Sequence, residues 1–334
     1  MALVVMSVPL PYEVAMATYN GEAFLEAQLC SIQGQTWLPQ RILVADDGSV
    51  DQTIEILRVW ERRTNGWLIM LPHTSHCGSS RTFERALEAT ISPYVLLADQ
   101  DDVWDIDMAE RLLRLMVASE SKNGFAVPLL VHTDLRLINS SGVLLAPSFF
   151  RYSRLDPYQG SWQQLALQNV VTGCASALNR ALLEKALPFP DVVVLHDWWL
   201  GLVAVVAGSL EVLPEPCLSY RQHRNNLVGA RGWRQLILQR LVGLVCTGRH
   251  GLGRWVGMAL LQLQACAVRC PEQFSTYQHE CIRELSSTSR VSCLRAIVSL
   301  RLQKQGPLRM LYFLLALLLA QRAPYGHLQP LDPR

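Results

Sequence analysis

The sequence of 334 residues is short of charge, of paired cysteines and of glycine-rich phosphate loops. Charged side chains make up only 17%, and 30 Lys+Arg against 28 Asp+Glu leave a net charge of +2, so no global basic field marks a nucleic-acid binder. The nine cysteines form no Cys-x-x-Cys pair and sit mostly in apolar runs, which suits reduced, buried thiols in a reducing compartment, the cytoplasm by default. His73, His76 and Cys77 have no partner cluster at zinc-like spacing, so a zinc site is not expected there. No run reaches the roughly 18 apolar residues that span a bilayer. The nearest approach is MLYFLLALLLA, Met310 to Ala320, flanked by Arg309 and Arg322. The apolar start, MALVVMSVPLPYEV, has no positive n-region and runs straight into a strand-like segment, so a signal peptide is not expected. Neither a P-loop nor a GxGxxG fingerprint occurs, so any phosphate is expected to be held by a metal and side chains rather than by a glycine cradle.

What the chain does have is apolar content, 50% of its residues, enough for one large domain or for a compact domain with an appendage. The apolar residues alternate between two periods. Glu13 to Thr18 reads as a strand closed by the turn signal Tyr19-Asn20-Gly21, and Glu22 to Ile32 has apolar residues at helical spacing. Arg41 to Ala45 is a second strand stopping at Asp46-Asp47-Gly48-Ser49. Ser49 and Gln52 have capping-box spacing, predicting a helix whose Val50, Ile54 and Leu57 share a face. Trp67 to Leu71 is a third strand, Ser80 to Ala89 a third helix, and Tyr94 to Ala98 a fourth strand that ends in Asp99-Gln100-Asp101-Asp102. Such β/α repeats imply an α/β domain with a mostly parallel sheet and helices on both faces, whose ligands gather outside the carboxyl ends of the strands.

Beyond residue 125 the pattern loosens into a strand-like LLVHTDLRLI (129–138), an apolar VVTGCASAL (170–178) leading into a helix, and VVVLHDWWLGLVAVVAG (192–208). The texture then changes. Residues 1–230 hold 16 basic and 24 acidic side chains, whereas 231–334 hold 14 basic and 4 acidic, a net of +10. The expected division is a catalytic domain over 1–228 and a basic, leucine-rich helical region over 229–334.

Asp99, Asp101 and Asp102 place three carboxylates in four positions just past a hydrophobic strand. Two like charges about 4 Å apart repel by roughly 4 kcal/mol at an effective dielectric near 20. A divalent cation such as Mg²⁺ or Mn²⁺, shared with a diphosphate, offsets that repulsion; a solvated acidic turn is the alternative. Asp46 and Asp47 can cap a turn or accept hydrogen bonds from a base or ribose. Asp197, between an apolar stretch and two tryptophans, can cap a helix with His196 merely packed, or can act as a general base whose pKa is raised by desolvation. Arg221 and His223 fall on one side of an extended stretch and form a plausible second wall for a diphosphate and its metal.

Taken together, the segments VAMATYNGEAFLEAQLCSIQGQT, ILVADDGSVDQTIEIL, YVLLADQDDVW, NVVTGCASALNR, HDWWL and YRQHRNNLVG appear in an order and spacing that closely resemble bacterial family 2 glycosyltransferases, especially the rhamnosyltransferase-like branch. The resemblance covers roughly residues 12–230. It implies a GT-A fold, a nucleotide-diphospho-sugar donor, a divalent cation and an inverting transfer. On that reading Thr18, Tyr19, Asn20, Asp46 and Asp47 line the nucleoside pocket, and Asp99 and Asp101 form a DxD element on metal and diphosphate. Asp197 matches the general base on the acceptor hydroxyl, and His223 matches a position that helps hold the metal or pyrophosphate. Two departures stand out: Asp105-Ile106-Asp107-Met108 replaces a frequent Pro-x-Lys step, and Arg224 stands where Gly is common. The donor expected from the resemblance is dTDP-rhamnose, with a UDP-hexose or UDP-N-acetylhexosamine as the alternative. A non-catalytic sugar-nucleotide-binding module is the rival from another class. The resemblance also implies a lipid-linked acceptor in surface-polysaccharide synthesis, lipopolysaccharide included, and a cytoplasmic enzyme peripheral on the inner face of the membrane. The +10 region fits an anionic membrane surface on that view, or else a helical subdomain packed on the catalytic domain.

Overall fold

The computed structural model describes residues 8–319 apart from 73–74, 159, 194, 224–225, 227–247 and 288. The expected boundary near 228 and the departure at Arg224 lie outside the described residues.

The predicted alternation is present: β1 (Tyr12–Thr18), α1 (Leu25–Gln33), β2 (Arg41–Asp46), α2 (Thr53–Thr64), β3 (Leu68–Met70), α3 (Ser79–Glu88), β4 (Tyr94–Ala98), β5 (Val103–Trp104) and α4 (Met108–Asn123). There follow β6 (Leu129–Thr133), β7 (Arg136–Asn139), β8 (Leu144–Ala146), α5 (Phe149–Ser153), α6 (Trp162–Leu165), β9 (Ser176–Asn179), α7 (Arg180–Ala186), α8 (His196–Ala207), β10 (Ser209–Leu213) and β11 (Leu218–Gln222). The last four are the helices α9 (Gly248–Arg269), α10 (Thr276–Glu284), α11 (Arg290–Ser299) and α12 (Pro307–Leu319).

Seven strands form the main sheet in the order β10-β6-β9-β4-β1-β2-β3. β1 and β4 are buried along almost their whole length, as expected of central strands covered on both faces. All pairings are parallel except those of β9, which runs antiparallel between β4 and β6. The register sets Thr18 opposite Asp46 and Met16 opposite Ala98, so the loops after β1, β2 and β4 leave the sheet at one edge.

Two expectations are corrected. The stretch 129–138 is two strands in two sheets, because Asp134 turns the chain between them: its buried carboxylate accepts from the backbone N–H of Leu135 and Phe150 and from the Ser148 hydroxyl. β7 thereby joins a second, four-stranded sheet in the order β5-β11-β7-β8. The capping box at Ser49 and Gln52 does not form. α2 begins at Thr53, whose backbone N–H is accepted by Asp51, while the Ser49 hydroxyl bonds Asp46 and Val50 is 89% exposed.

The C-terminal helices share one apolar core with the α/β part, where Trp199, Leu200 and Val203 of α8 cluster with Leu263 and Cys266 of α9, Ile282, Ile297 and Phe313. The eight described cysteines are free, and all but Cys30 and Cys77 are buried. Among the described residues no helix is long and apolar enough to cross a membrane.

Candidate active site

The edge of the sheet where β1, β2 and β4 end opens onto a cavity of about 770 Å³. Thr18, Tyr19, Asn20, Asp47, Asp99, Asp101, Asp197 and His223 all line it. Asp46 and Arg221 do not.

The loop after β1 is shaped by polar clips. Asn20 adopts the left-handed conformation at φ 48°, which Asn tolerates, and its side-chain oxygen accepts from the Val50 N–H at 2.9 Å. The Gln100 carboxamide takes the backbone N–H and C=O of Tyr19, each at 2.8 Å. A Cβ on residue 21 would stand 2.2 Å from the Gln100 Oε1, so Gly21 permits this clip.

Asp46 was expected in the pocket but is consumed by its own turn. Its carboxylate accepts from the Thr18 hydroxyl at 2.8 Å, from the backbone N–H of Gly48 and Ser49, and from the Ser49 hydroxyl. Its neighbour Asp47 does reach the cavity. It gathers the segment before α3 by accepting from the N–H of Cys77 and Gly78 and pairing with His76 Nδ1 at 2.9 Å. The His76 ring in turn lies 5.0 Å from that of Tyr19, giving the cavity an aromatic margin beside a carboxylate.

The acidic loop lies between β4 and β5. Asp101 Oδ2 is 2.6 Å from His223 Nε2 and 3.3 Å from Asn226 Nδ2. Asp102 is fully buried; its Oδ1 accepts from the Arg221 N–H at 3.1 Å, while its Oδ2 has no hydrogen-bond partner. Ligand atoms of Asp99, Asp102 and Cys174 lie within 4.8 Å of one another. Burial, then the nearby Asp101 and Asp197 charges, push the Asp99 carboxyl up to about 8. Burial, then the Asp101 and Asp99 charges, raise Asp102 well above the carboxylate range, and burial with the same acids raises the Cys174 thiol too. Carboxylates crowded in this way, with only the Cys174 thiol beside the second Asp102 oxygen, fit a divalent cation. Of the neighbouring side chains, Asp99, Asp101 and His223 line the cavity, whereas Asp102 does not. Oxygen donors suit Mg²⁺ or Mn²⁺ better than does a protonated thiol.

Arg221, expected to wall a diphosphate, secures this loop instead. Its Nε donates to the Asp101 carbonyl at 2.9 Å, its Nη1 to the carbonyls of Ser140 at 3.2 Å and Asn139 at 3.4 Å, and it stacks over Phe24.

Asp197 stands in the first turn of α8, where the helix dipole favours negative charge. Burial lifts its carboxyl to about 6 against hydrogen bonds from the Trp198 N–H, the Asn169 side chain and the Gly173 N–H. That leaves it ionised at neutral pH yet basic enough to take a proton. His196 is packed, its ring 3.8 Å from that of Phe83 and held neutral by burial. Gln100, Asn169, Cys174 and Asn226 were missed as site residues, although each stands in a motif singled out from the sequence.

The family model described as Glycosyl transferase family 2 matches residues 13–184. The chain is 28% identical over 228 residues to dTDP-rhamnosyl transferase RfbG of Shigella flexneri, covering 64% of this chain and 74% of that protein. It is 25% identical over 206 residues to the UDP-Glc:alpha-D-GlcNAc-diphosphoundecaprenol beta-1,3-glucosyltransferase WfgD of Escherichia coli, covering 60% and 72%. Among solved structures it is similar to S. aureus TarS 1-349 in complex with UDP, with a TM-score of 0.51, 16% identity, and 87% and 90% of the two chains covered. The mannosyltransferase PcManGT from Pyrobaculum calidifontis, in complex with GDP-Man and Mn2+, also superposes at 0.51, with 14% identity over 94% and 86%. These likenesses identify the α/β domain as the expected GT-A fold.

Proposed function

The chain belongs to glycosyl transferase family 2, and on that premise we propose that it moves rhamnose from dTDP-rhamnose, with inversion, onto a lipid-linked precursor of a surface polysaccharide. The observation that carries this reading is the meeting of Asp99, Asp101 and Asp197 on one cavity. Tyr19, Asn20 and Asp47 bind the nucleoside, with Thr18 at the base of that loop and Asp46 holding the turn beneath it. Asp99, Asp101 and His223 would hold a divalent cation, Mg²⁺ or Mn²⁺, whose charge offsets that of the departing nucleoside diphosphate.

Asp197 accepts the proton of the acceptor hydroxyl as its oxygen bonds the anomeric carbon and the bond from that carbon to the phosphate oxygen breaks. Asn169 and Gly173 hold the carboxylate in place for this transfer. Attack from the face opposite the leaving group inverts the anomeric centre. A lipid-linked acceptor is supported by the name of the E. coli relative, and the reading includes a cytoplasmic enzyme peripheral on the inner membrane face.

Mass spectrometry of products formed from a panel of donors and lipid-linked acceptors tests the reading. Transfer from dTDP-rhamnose with release of dTDP supports it. Transfer only from a UDP-hexose or UDP-N-acetylhexosamine corrects the donor. Donor binding with no product from any pair leaves the non-catalytic binding module.

A further inference from the structure

One helix of the C-terminal region has two unlike faces. On α12 the side chains of Arg309, Phe313, Ala316 and Leu317 are buried, whereas Leu308, Leu311, Leu315 and Leu318 are 58%, 55%, 39% and 40% exposed. Steps of three, four and three residues set those leucines in one row along the helix. Between Glu284 and Asp332 the chain has no acidic residue and six cations, and Arg290, Arg295 and Arg301 among them are exposed. Arg309 and Lys304 turn onto backbone carbonyls, so the charge this acid-free stretch shows to solvent is that of the exposed arginines. An apolar row in such a stretch is matched by a surface apolar beneath and negative on top, as an anionic bilayer is. The described part of α12 has 13 residues and Arg322 and Pro324 follow in the sequence, an apolar length too short to span such a bilayer but suited to its interfacial plane.

The buried face of the same helix, with the turn that precedes it, is fastened to a segment that lines the cavity. The Arg309 guanidinium donates to the carbonyls of Ser153 at 2.6 Å and Arg154 at 2.9 Å. Gln305 makes a paired bond with the backbone of Asp156, accepting from its N–H at 2.8 Å and donating to its C=O at 2.6 Å. The segment held in this way includes Phe149 and Leu155, and both line the cavity that contains Asp197.

We propose that α12 docks in-plane on an anionic phospholipid bilayer through Leu308, Leu311, Leu315 and Leu318, and that Arg309 and Gln305 fix the Phe149–Leu155 wall relative to the docked surface. The inference rests on the reading of a lipid-linked acceptor: the wall beside the general base keeps a set attitude to the membrane from which the acceptor projects.

The test uses the full chain in co-sedimentation with vesicles of phosphatidylcholine and phosphatidylglycerol, and with vesicles of phosphatidylcholine alone. The wild type is expected to partition onto the anionic vesicles, and the Leu311→Ser/Leu315→Ser variant to lose at least about tenfold of that partitioning. Transfer to a water-soluble acceptor analogue should be unchanged in the variant. Gln305→Ala, which removes only the Asp156 pair, should keep vesicle binding and raise KM for a lipid-linked acceptor without changing donor affinity.

Equal partitioning of wild type and leucine variant overturns the docking, as does equal binding to neutral vesicles. A wild-type dimer that the leucine substitutions make monomeric assigns the row to a second copy instead. An unchanged acceptor KM in Gln305→Ala overturns the coupling. Absence of transfer to any acceptor refutes the catalytic reading alone, because vesicle partitioning is measured without turnover.

Discussion

Replacing Asp197 with asparagine separates chemistry from folding at one atom pair. Burial lifts the carboxyl from its ordinary 3.8 to about 6, so keeping it ionised at neutral pH costs the folded protein up to about 3 kcal/mol. Asparagine has the same shape, keeps an acceptor for the Trp198 N–H and carries no charge. Its NH₂ then meets either the Asn169 side chain or the Gly173 N–H, donor against donor, which offsets part of the gain. The expected variant at pH 7 is therefore at least as stable as wild type, by up to about 3 kcal/mol. Removing a general base lowers turnover by about 10² to 10⁴, equivalent to about 3–5 kcal/mol of barrier. Product mass spectrometry, a urea unfolding curve and donor calorimetry measure the three quantities separately. Transfer within tenfold of wild type refutes the base assignment. A variant that unfolds several tenths of a molar earlier in urea, or no longer binds donor, shows that the carboxylate is structural.

Other outcomes follow from the same geometry. The kcat/KM of the wild type should fall tenfold per pH unit below about 6 as Asp197 takes up its proton, and a rate flat to pH 5 contradicts this. Asp101→Asn breaks the pair with His223, so calorimetry with Mn²⁺ should show donor affinity reduced by tenfold or more, while the weaker binding in EDTA is unchanged. Without a divalent cation, the thermal midpoint should decline as pH rises towards 8. The folded protein holds the Asp99 proton more tightly than the unfolded chain does, so this stabilisation disappears on deprotonation; added Mn²⁺ should restore the midpoint. Gly208→Ala would set a Cβ 1.9 Å from the Pro128 carbonyl oxygen at the entry to β6, so a loss of about 1–3 kcal/mol or more is expected in urea unfolding.

The alternation of β1 to β4 with their helices was legible because each element repeats its period over several residues, and so was the convergence of the loops at one sheet edge. The second sheet was not. Its strands β5, β7 and β8 have two to four residues, too few for a period, and their pairing depends on the corner at Asp134. At the site, the sequence located Asp47, Asp101 and Asp197 by residue type and by resemblance, but it could not say where a polar group spends its hydrogen bonds. Arg221 finds carbonyls at Asn139 and Ser140, some eighty residues earlier, and Asp46 finds Thr18 on another strand. Asn169 and Cys174 become site residues because the short segment before β9 folds against α8. The leucines of Met310 to Ala320 were visible as a run, but which of them stay wet depends on how α12 seats Arg309 and Phe313.

Residues 99 to 102 join the large sheet to the small one, since β4 ends at Ala98 and β5 begins at Val103. Two further short links, Asp134-Leu135 between β6 and β7 and residues 214–217 between β10 and β11, join the same two sheets, so this span of four residues, three of them aspartates, lies on a seam pinned at three points. The acidic bridge therefore cannot shift alone: its position is set jointly by the two sheets that it joins.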